Sequence, residues 1–146
     1  MSKGRSSTDD RRYPERPIVG VGAIVVDGDQ VLLVERGREP LKGKWSLPGG
    51  VVEVGERLKD AIRREVREET GLEVEPVELV EVFERIMPGE NGRTEYHYVL
   101  MDYRCRVTGG ELKAGSDAGQ ARWVRRAELG SYAMTEGTLG VIEKVL

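Results

Sequence analysis

The chain has 146 residues, 34% of them charged, and a formal net charge of −3. That size suits one domain with a full core, and the near-balanced charge excludes a surface built for polymeric nucleic acid. No apolar run reaches the roughly 18 residues a membrane span needs. Met1–Arg12 is polar and lacks an apolar signal segment. Cys105 is the only cysteine and cannot form an internal disulfide. A cytoplasmic protein is expected.

Residues 1–16 are rich in Ser, Arg and Asp and show no periodicity. They read as a flexible arm, with an ordered role over a substrate or in a dimer as the alternative. Residues 17–146 read as a single domain. Ile18–Val26 predicts a strand, Asp27-Gly28-Asp29 a turn and Gln30–Glu35 a second strand, together a hairpin. Arg36–Lys44 is a polar loop; Trp45–Leu47 is short and strand-like, and Pro48-Gly49-Gly50 breaks it. Arg57–Thr70 is the clearest helix, with Gly71 placed to end it. Glu73–Ile86 and Thr94–Val107 read as extended chain joined by a hairpin loop over Met87–Arg93. Gly109-Gly110 follows as a turn, Ala121–Val124 as a short strand, and Thr135–Leu146 as a closing helix with Thr135 as N-cap. Strands on both sides of one central helix, plus a terminal helix, make an α+β chain: an α/β/α sandwich around a mixed sheet.

The central helix carries an anomaly. With Glu65 at the origin of a helical wheel, Leu58 falls near about 20°, Ala61 near about 320° and Ile62 near about 60°. Glu68 and Glu69, near about 300° and 40°, continue that apolar stripe, while Lys59, Asp60, Arg63 and Arg67 take the opposite side. The simplest explanation is surface charge at a helix end. Yet like charges at i,i+3 and i,i+4 repel, and the C-terminal end of the helix dipole disfavours anions. Arg64 can relieve Glu68 but cannot balance three acids. A divalent cation with hard-oxygen preference would. Upstream, Pro48-Gly49-Gly50 and Gly55-Glu56 supply backbone that a ligand can approach closely, although Glu56 alone would also complement the helix N-terminus.

Loop and helix together, Gly50–Leu72, read GVVEVGERLKDAIRREVREETGL. This stretch resembles a complete Nudix box: Gly50, then Glu56, Arg64-Glu65-Val66, Glu68-Glu69 and Gly71-Leu72, with no specified position departing. The resemblance extends over Ile18–Leu146. It implies an α/β/α sandwich and hydrolysis of a nucleoside diphosphate linked to a further group. It also implies a small-molecule nucleotide as partner and Mg²⁺ as cofactor, with Mn²⁺ as a substitute. By the same resemblance Glu68 and Glu69 are metal ligands, and Glu65 is a further ligand or the general base. The Gly50 carbonyl completes the coordination, Arg64 orients the carboxylates, and Glu56 braces the loop or reaches the metal.

Outside the box, Asp117 and Arg36 are candidate substrate-binding residues. Asp117 sits where relatives carry a metal-contacting Glu from a later loop, though a plain turn explains it equally; Glu111 is a weaker candidate for that task. Arg36 ends the second strand where relatives place an arginine on the phosphates. His97, Trp45, Trp123 and Cys105 read as packing residues. Pro88, the sixteenth residue after Leu72, resembles a marker of ADP-ribose pyrophosphatases, although Pro-Gly also suits a hairpin loop. ADP-ribose or an ADP-sugar is therefore the expected substrate, from which AMP and a sugar phosphate are released. The alternatives are a mutator-type enzyme acting on oxidised nucleoside triphosphates and a nucleotide-sensing module without turnover. A homodimer is compatible with the ADP-ribose reading.

Overall fold

The structure, a computed structural model, describes residues 11–113 and 118–146. Its centre is β1 (Ile18–Asp27), buried without interruption from Gly20 to Val25. Such a run belongs to a strand covered on both faces. β1 runs parallel to β6 (Thr94–Gly110), from Ile18↔Tyr98 to Val25↔Cys105. Its end pairs antiparallel with β2 (Gln30–Arg36) through Val26↔Val31. Beyond β6 lies β5 (Leu72–Pro88), antiparallel and outermost. Beyond β2 lie β3 (Trp45–Ser46) and β7 (Ala118–Arg125), both antiparallel to it. A three-residue strand, β4 (Gly49–Val51), pairs with β1 at Gly20–Gly22.

Period-two alternation on β1 divides the core in two. Val21, Ala23 and Val25 pack under α1 (Leu58–Thr70) with its Ala61, Ile62 and Val66. Ile24 faces the other way and joins Val31, Leu33, Val124 and Leu129 beneath α2 (Thr138–Glu143), whose Val141 and Ile142 close that side. The result is the expected α/β/α sandwich. Among the described residues, no helix is long and apolar enough to cross a membrane.

Several boundaries differ from expectation, each because tertiary pairing supplies what local propensity does not. Gly49–Val51 is a strand, not a break, since β1 offers it an edge. Gly109-Gly110 stays within β6, opposite Glu73 and Leu72. The closing helix is only Thr138–Glu143, because Gly137 at its N-cap has φ 86°, outside the helical region. Thr135 is not the cap: its N–H donates to the Trp45 carbonyl (2.9 Å), and its hydroxyl meets that of Thr138 at 2.6 Å. A 3₁₀ turn over Arg126–Ser131, unanticipated, leads into this end.

Gly71 is the residue on which α1 stops. It has φ 78°, and its N–H donates to the Arg67 carbonyl. A Cβ there would collide with the Glu111 carbonyl and stand 3.2 Å from Lys113 Cγ. Gly71→Ala is therefore expected to destabilise the fold by about 2 kcal/mol. Thermal unfolding followed by circular dichroism measures this, and an unchanged Tm would contradict the account of the helix end.

Candidate active site

One face of the sheet forms the floor of a cleft, and strand register dictates which side chains meet there. Gly22 on β1 lies opposite Asp102 on β6, which lies opposite Glu81 on β5. The next row is Gly20, Leu100 and Phe83, and the third is Ile18, Tyr98 and Arg85. Because alternate residues share a face, Tyr98, Leu100 and Asp102 project together, as do Phe83 and Arg85, and all five line the cleft. The β1 glycines leave room for them. A Cβ on Gly22 would collide with Asp102 Oδ1, and one on Gly20 would come within 2.8 Å of Leu100 Cδ2.

The acidic wall comes from α1, which packs on the opposite face of the sheet. Its carboxylates reach the cleft past β4, whose first two residues carry no side chain. The Glu65 carboxylate sits against Gly50 so closely that a Cβ there would be 2.5 Å from Glu65 Oε2. Gly49 N–H donates to Glu69 Oε1 at 3.0 Å. Glu65, Glu68 and Glu69 all line the cleft, as does Gly50.

Arg64 ties this wall together. Its Nε and Nη2 donate to the two oxygens of Glu56 at 2.6 and 2.9 Å. Nη1 donates to Glu65 Oε2 (2.9 Å) and Glu68 Oε1 (3.2 Å), and Nη2 also donates to the Val51 carbonyl (3.1 Å). The bidentate pair holds the Glu56 carboxyl below its ordinary range. Burial pushes the Glu65 carboxyl up, against the pull of Arg64. Glu65 is 15% exposed and Glu68 58%, with Glu69 half-buried.

Arg11, Arg36, Arg38 and Arg85 line the same cleft. Arg36 Nε donates to the Pro40 carbonyl at 2.7 Å, and Arg85 Nη2 to the Glu136 carbonyl at 3.1 Å. Burial lowers the pKa of both guanidiniums, and the charge of Arg85 lowers that of Arg36 further. Arg85 Nε is buried without a hydrogen-bond partner among the described residues.

The acidic donor set suits a hard divalent cation: three carboxylates on one wall beside the backbone of Gly50. They are not gathered on one point, for no group of three or more His, Cys, Asp or Glu among the described residues is arranged to hold an ion. Arg64 holds Glu65 and Glu68, and Gly49 holds Glu69.

Of the residues singled out in the sequence, the structure brings Glu65, Glu68, Glu69, Gly50 and Arg36 into the cleft, with Arg64 and Glu56 directly behind them. Asp117 lies outside the described residues. Glu111 is exposed beside Gly71. Pro88 and His97 do not line the cleft. Trp45 packs edge-on against Tyr132 and Trp123 against the α1 core. Cys105 is buried, its thiol pushed up to about 12 by burial, which makes it a packing residue. Sequence reasoning missed Asp102, Arg85, Tyr98 and Arg11. Asp102 did leave a signal, a lone acid on the inward parity of an apolar strand.

The profile of the NUDIX domain matches residues 16–144. The chain is 39% identical over 107 residues to the ADP-ribose pyrophosphatase of Methanocaldococcus jannaschii, covering 73% of this chain and 61% of that protein. It is 36% identical over 119 residues to the 8-oxo-dGDP phosphatase of Mus musculus, covering 79% of this chain and 34% of that protein. It thus spans less than two thirds of the length of either relative. The crystal structure of a MutT NUDIX hydrolase from Burkholderia pseudomallei superposes with a TM-score of 0.79 at 31% identity, covering 90% of this chain and 100% of that one.

Burial, and secondly Glu81, push the Asp102 carboxyl up to about 6, with Arg85 pulling the other way. The folded state therefore holds this proton more tightly than the unfolded chain. Stability is lost as pH rises from the ordinary carboxyl value through about 6, and the cost of the buried charge is fully present above that. Asp102→Asn removes the charge. It is expected to raise stability by on the order of 2 kcal/mol at pH 8, with the advantage gone by about pH 4. Thermal melts across that range test this, and an equal difference at both ends would rule out the buried charge as its source.

Proposed function

The chain belongs to the NUDIX family of hydrolases, and from that premise we propose that it uses Mg²⁺ to cleave ADP-ribose or an ADP-sugar into AMP and a sugar phosphate. The observation that carries the reading is one cleft lined both by the three helix carboxylates, Glu65, Glu68 and Glu69, and by arginines. Family members generally use divalent metal ions, and Mn²⁺ would substitute for Mg²⁺ on the same hard oxygens.

A pyrophosphate resists attack by water because its oxygens are already negative. A divalent ion, when bound, neutralises those oxygens and makes a nucleophile of water near neutral pH. Glu68 and Glu69 would hold it with the Gly50 carbonyl, and Glu65 would be a further ligand or the base that takes the proton from water. Water oxygen bonds to phosphorus as the bridging P–O bond breaks, and the leaving phosphate carries away the electron pair. Arg64 keeps the carboxylates oriented, Glu56 braces Arg64, and Arg36, steadied by Pro40, meets a phosphoryl oxygen. Asp117 would approach the phosphates from its later loop. The likeness to the M. jannaschii ADP-ribose pyrophosphatase supports the substrate choice. The likeness to an 8-oxo-dGDP phosphatase favours, as the second reading, an oxidised purine nucleotide. We place the protein in the cytoplasm, where its buried thiol would remain reduced.

Purified protein with Mg²⁺ should release AMP and ribose 5-phosphate from ADP-ribose faster than any product from dinucleoside polyphosphates, NADH, or normal and 8-oxo nucleoside triphosphates. Preference for the 8-oxo triphosphates would replace the first reading with the second, and binding without turnover would point to a sensing module. Glu69→Gln should lower kcat/KM at least about a hundredfold with the melting temperature preserved. Undiminished activity would remove Glu69 from the metal site.

A further inference from the structure

We propose that Arg11 is a substrate-binding residue, carried to the cleft by the N-terminal arm, and that Tyr13 is the positioning residue that fixes the arm in place. The ligand is phosphoryl oxygen of the pyrophosphate or of the group linked to it, so the inference rests on the function proposed above.

Tyr13 is clamped on the β5–β6 hairpin. Its N–H donates to the Glu95 carbonyl at 2.7 Å, and its hydroxyl accepts from Glu90 N–H at 3.1 Å. The Arg93 guanidinium lies 4.1 Å from the ring centroid, and Arg12 forms an ion pair with Glu95 at 2.7 Å. The ring also lies against Gly89, where a Cβ would come within 2.7 Å of it. The anchor is firm enough to hold Tyr13 at φ 51°, a conformation that side-chain-bearing residues rarely adopt. None of Tyr13, Arg93 and Glu95 lines the cleft, but Arg11, two residues earlier, does.

The surroundings of Arg11 call for an anion. Arg11 lines the cleft with Arg36, Arg85 and Tyr98, and its charge lowers the pKa of Arg36 and acts on Tyr98. Arg36 and Arg85 also converge on Tyr98. Cations gathered this closely repel one another, and a phosphoryl group between them would turn that repulsion into attraction. Arg85 Nε, buried and unpartnered among the described residues, is a donor left over on the same wall.

Steady-state kinetics with ADP-ribose and Mg²⁺ test the proposal on the full chain. Arg11→Gln should raise KM about tenfold while kcat stays within about threefold, as for the loss of one charged hydrogen bond. Arg11→Lys should recover part of the loss. Tyr13→Ala should raise KM similarly although it touches no cleft residue, and the double variant should be no worse than Arg11→Gln alone. An unchanged KM in Arg11→Gln, or effects that add in the double variant, would overturn the proposal. If the wild type hydrolyses no nucleotide, the proposed function fails on its own account. Calorimetric binding of inorganic pyrophosphate with Mg²⁺ then decides on Arg11: tenfold weaker binding in Arg11→Gln supports it, and equal binding overturns it.

Discussion

The guanidinium of Arg64 joins two pieces of chain that are otherwise linked through the hydrogen bond from Gly49 N–H to Glu69. On one side it grips Glu56 and the Val51 carbonyl, which belong to the loop; on the other it holds Glu65 and Glu68, which belong to the helix. A lysine could keep the charge but not the planar fork that matches Glu56 with two parallel hydrogen bonds. Because α1 is seated on the core by Ala61, Ile62 and Val66 and the start of the loop is paired with β1, fixing the loop to the helix aligns the acids with the sheet. The position of the acidic wall follows from that joint.

Two arginines of the cleft are directed by backbone carbonyls. Arg36 and Arg85 are steadied by the carbonyls of Pro40 and Glu136, partners that set direction without cancelling charge. Arg64, by contrast, is committed to carboxylates.

The acidic half of the site was legible in the chain because helical spacing is local: Glu65, Glu68 and Glu69 share a stripe with Leu58 and Ile62 whatever the rest of the fold does. The floor was not, because it depends on register. Asp102 meets Gly22 only through a parallel pairing across most of the molecule, and Arg85 looks no different from Glu84 until β5 is laid against β6. Gly49-Gly50 carried an ambiguous signal. Glycines without side chains have little strand propensity, and only the edge offered by β1 makes them one. Helix length at the C-terminus failed for a related reason, since one left-handed residue, Gly137, excludes Thr135 and Glu136 from the helix that follows it.

The outermost strand bears on how the chain survives its own synthesis. β5 is 17 residues long, has β6 as its partner, and exposes Leu79, Val82 and Ile86. A flat apolar edge of that length is a template for another chain to add to. Here Glu73, Glu75, Glu78, Glu81 and Glu84 are interleaved with the apolar residues, Pro76 removes a donor, and the ladder shifts register near Pro76, Leu79 and Met87. These interruptions act as gatekeepers against aggregation. Replacing the glutamates to tighten packing on this side would expose newly made chains to strand-by-strand association.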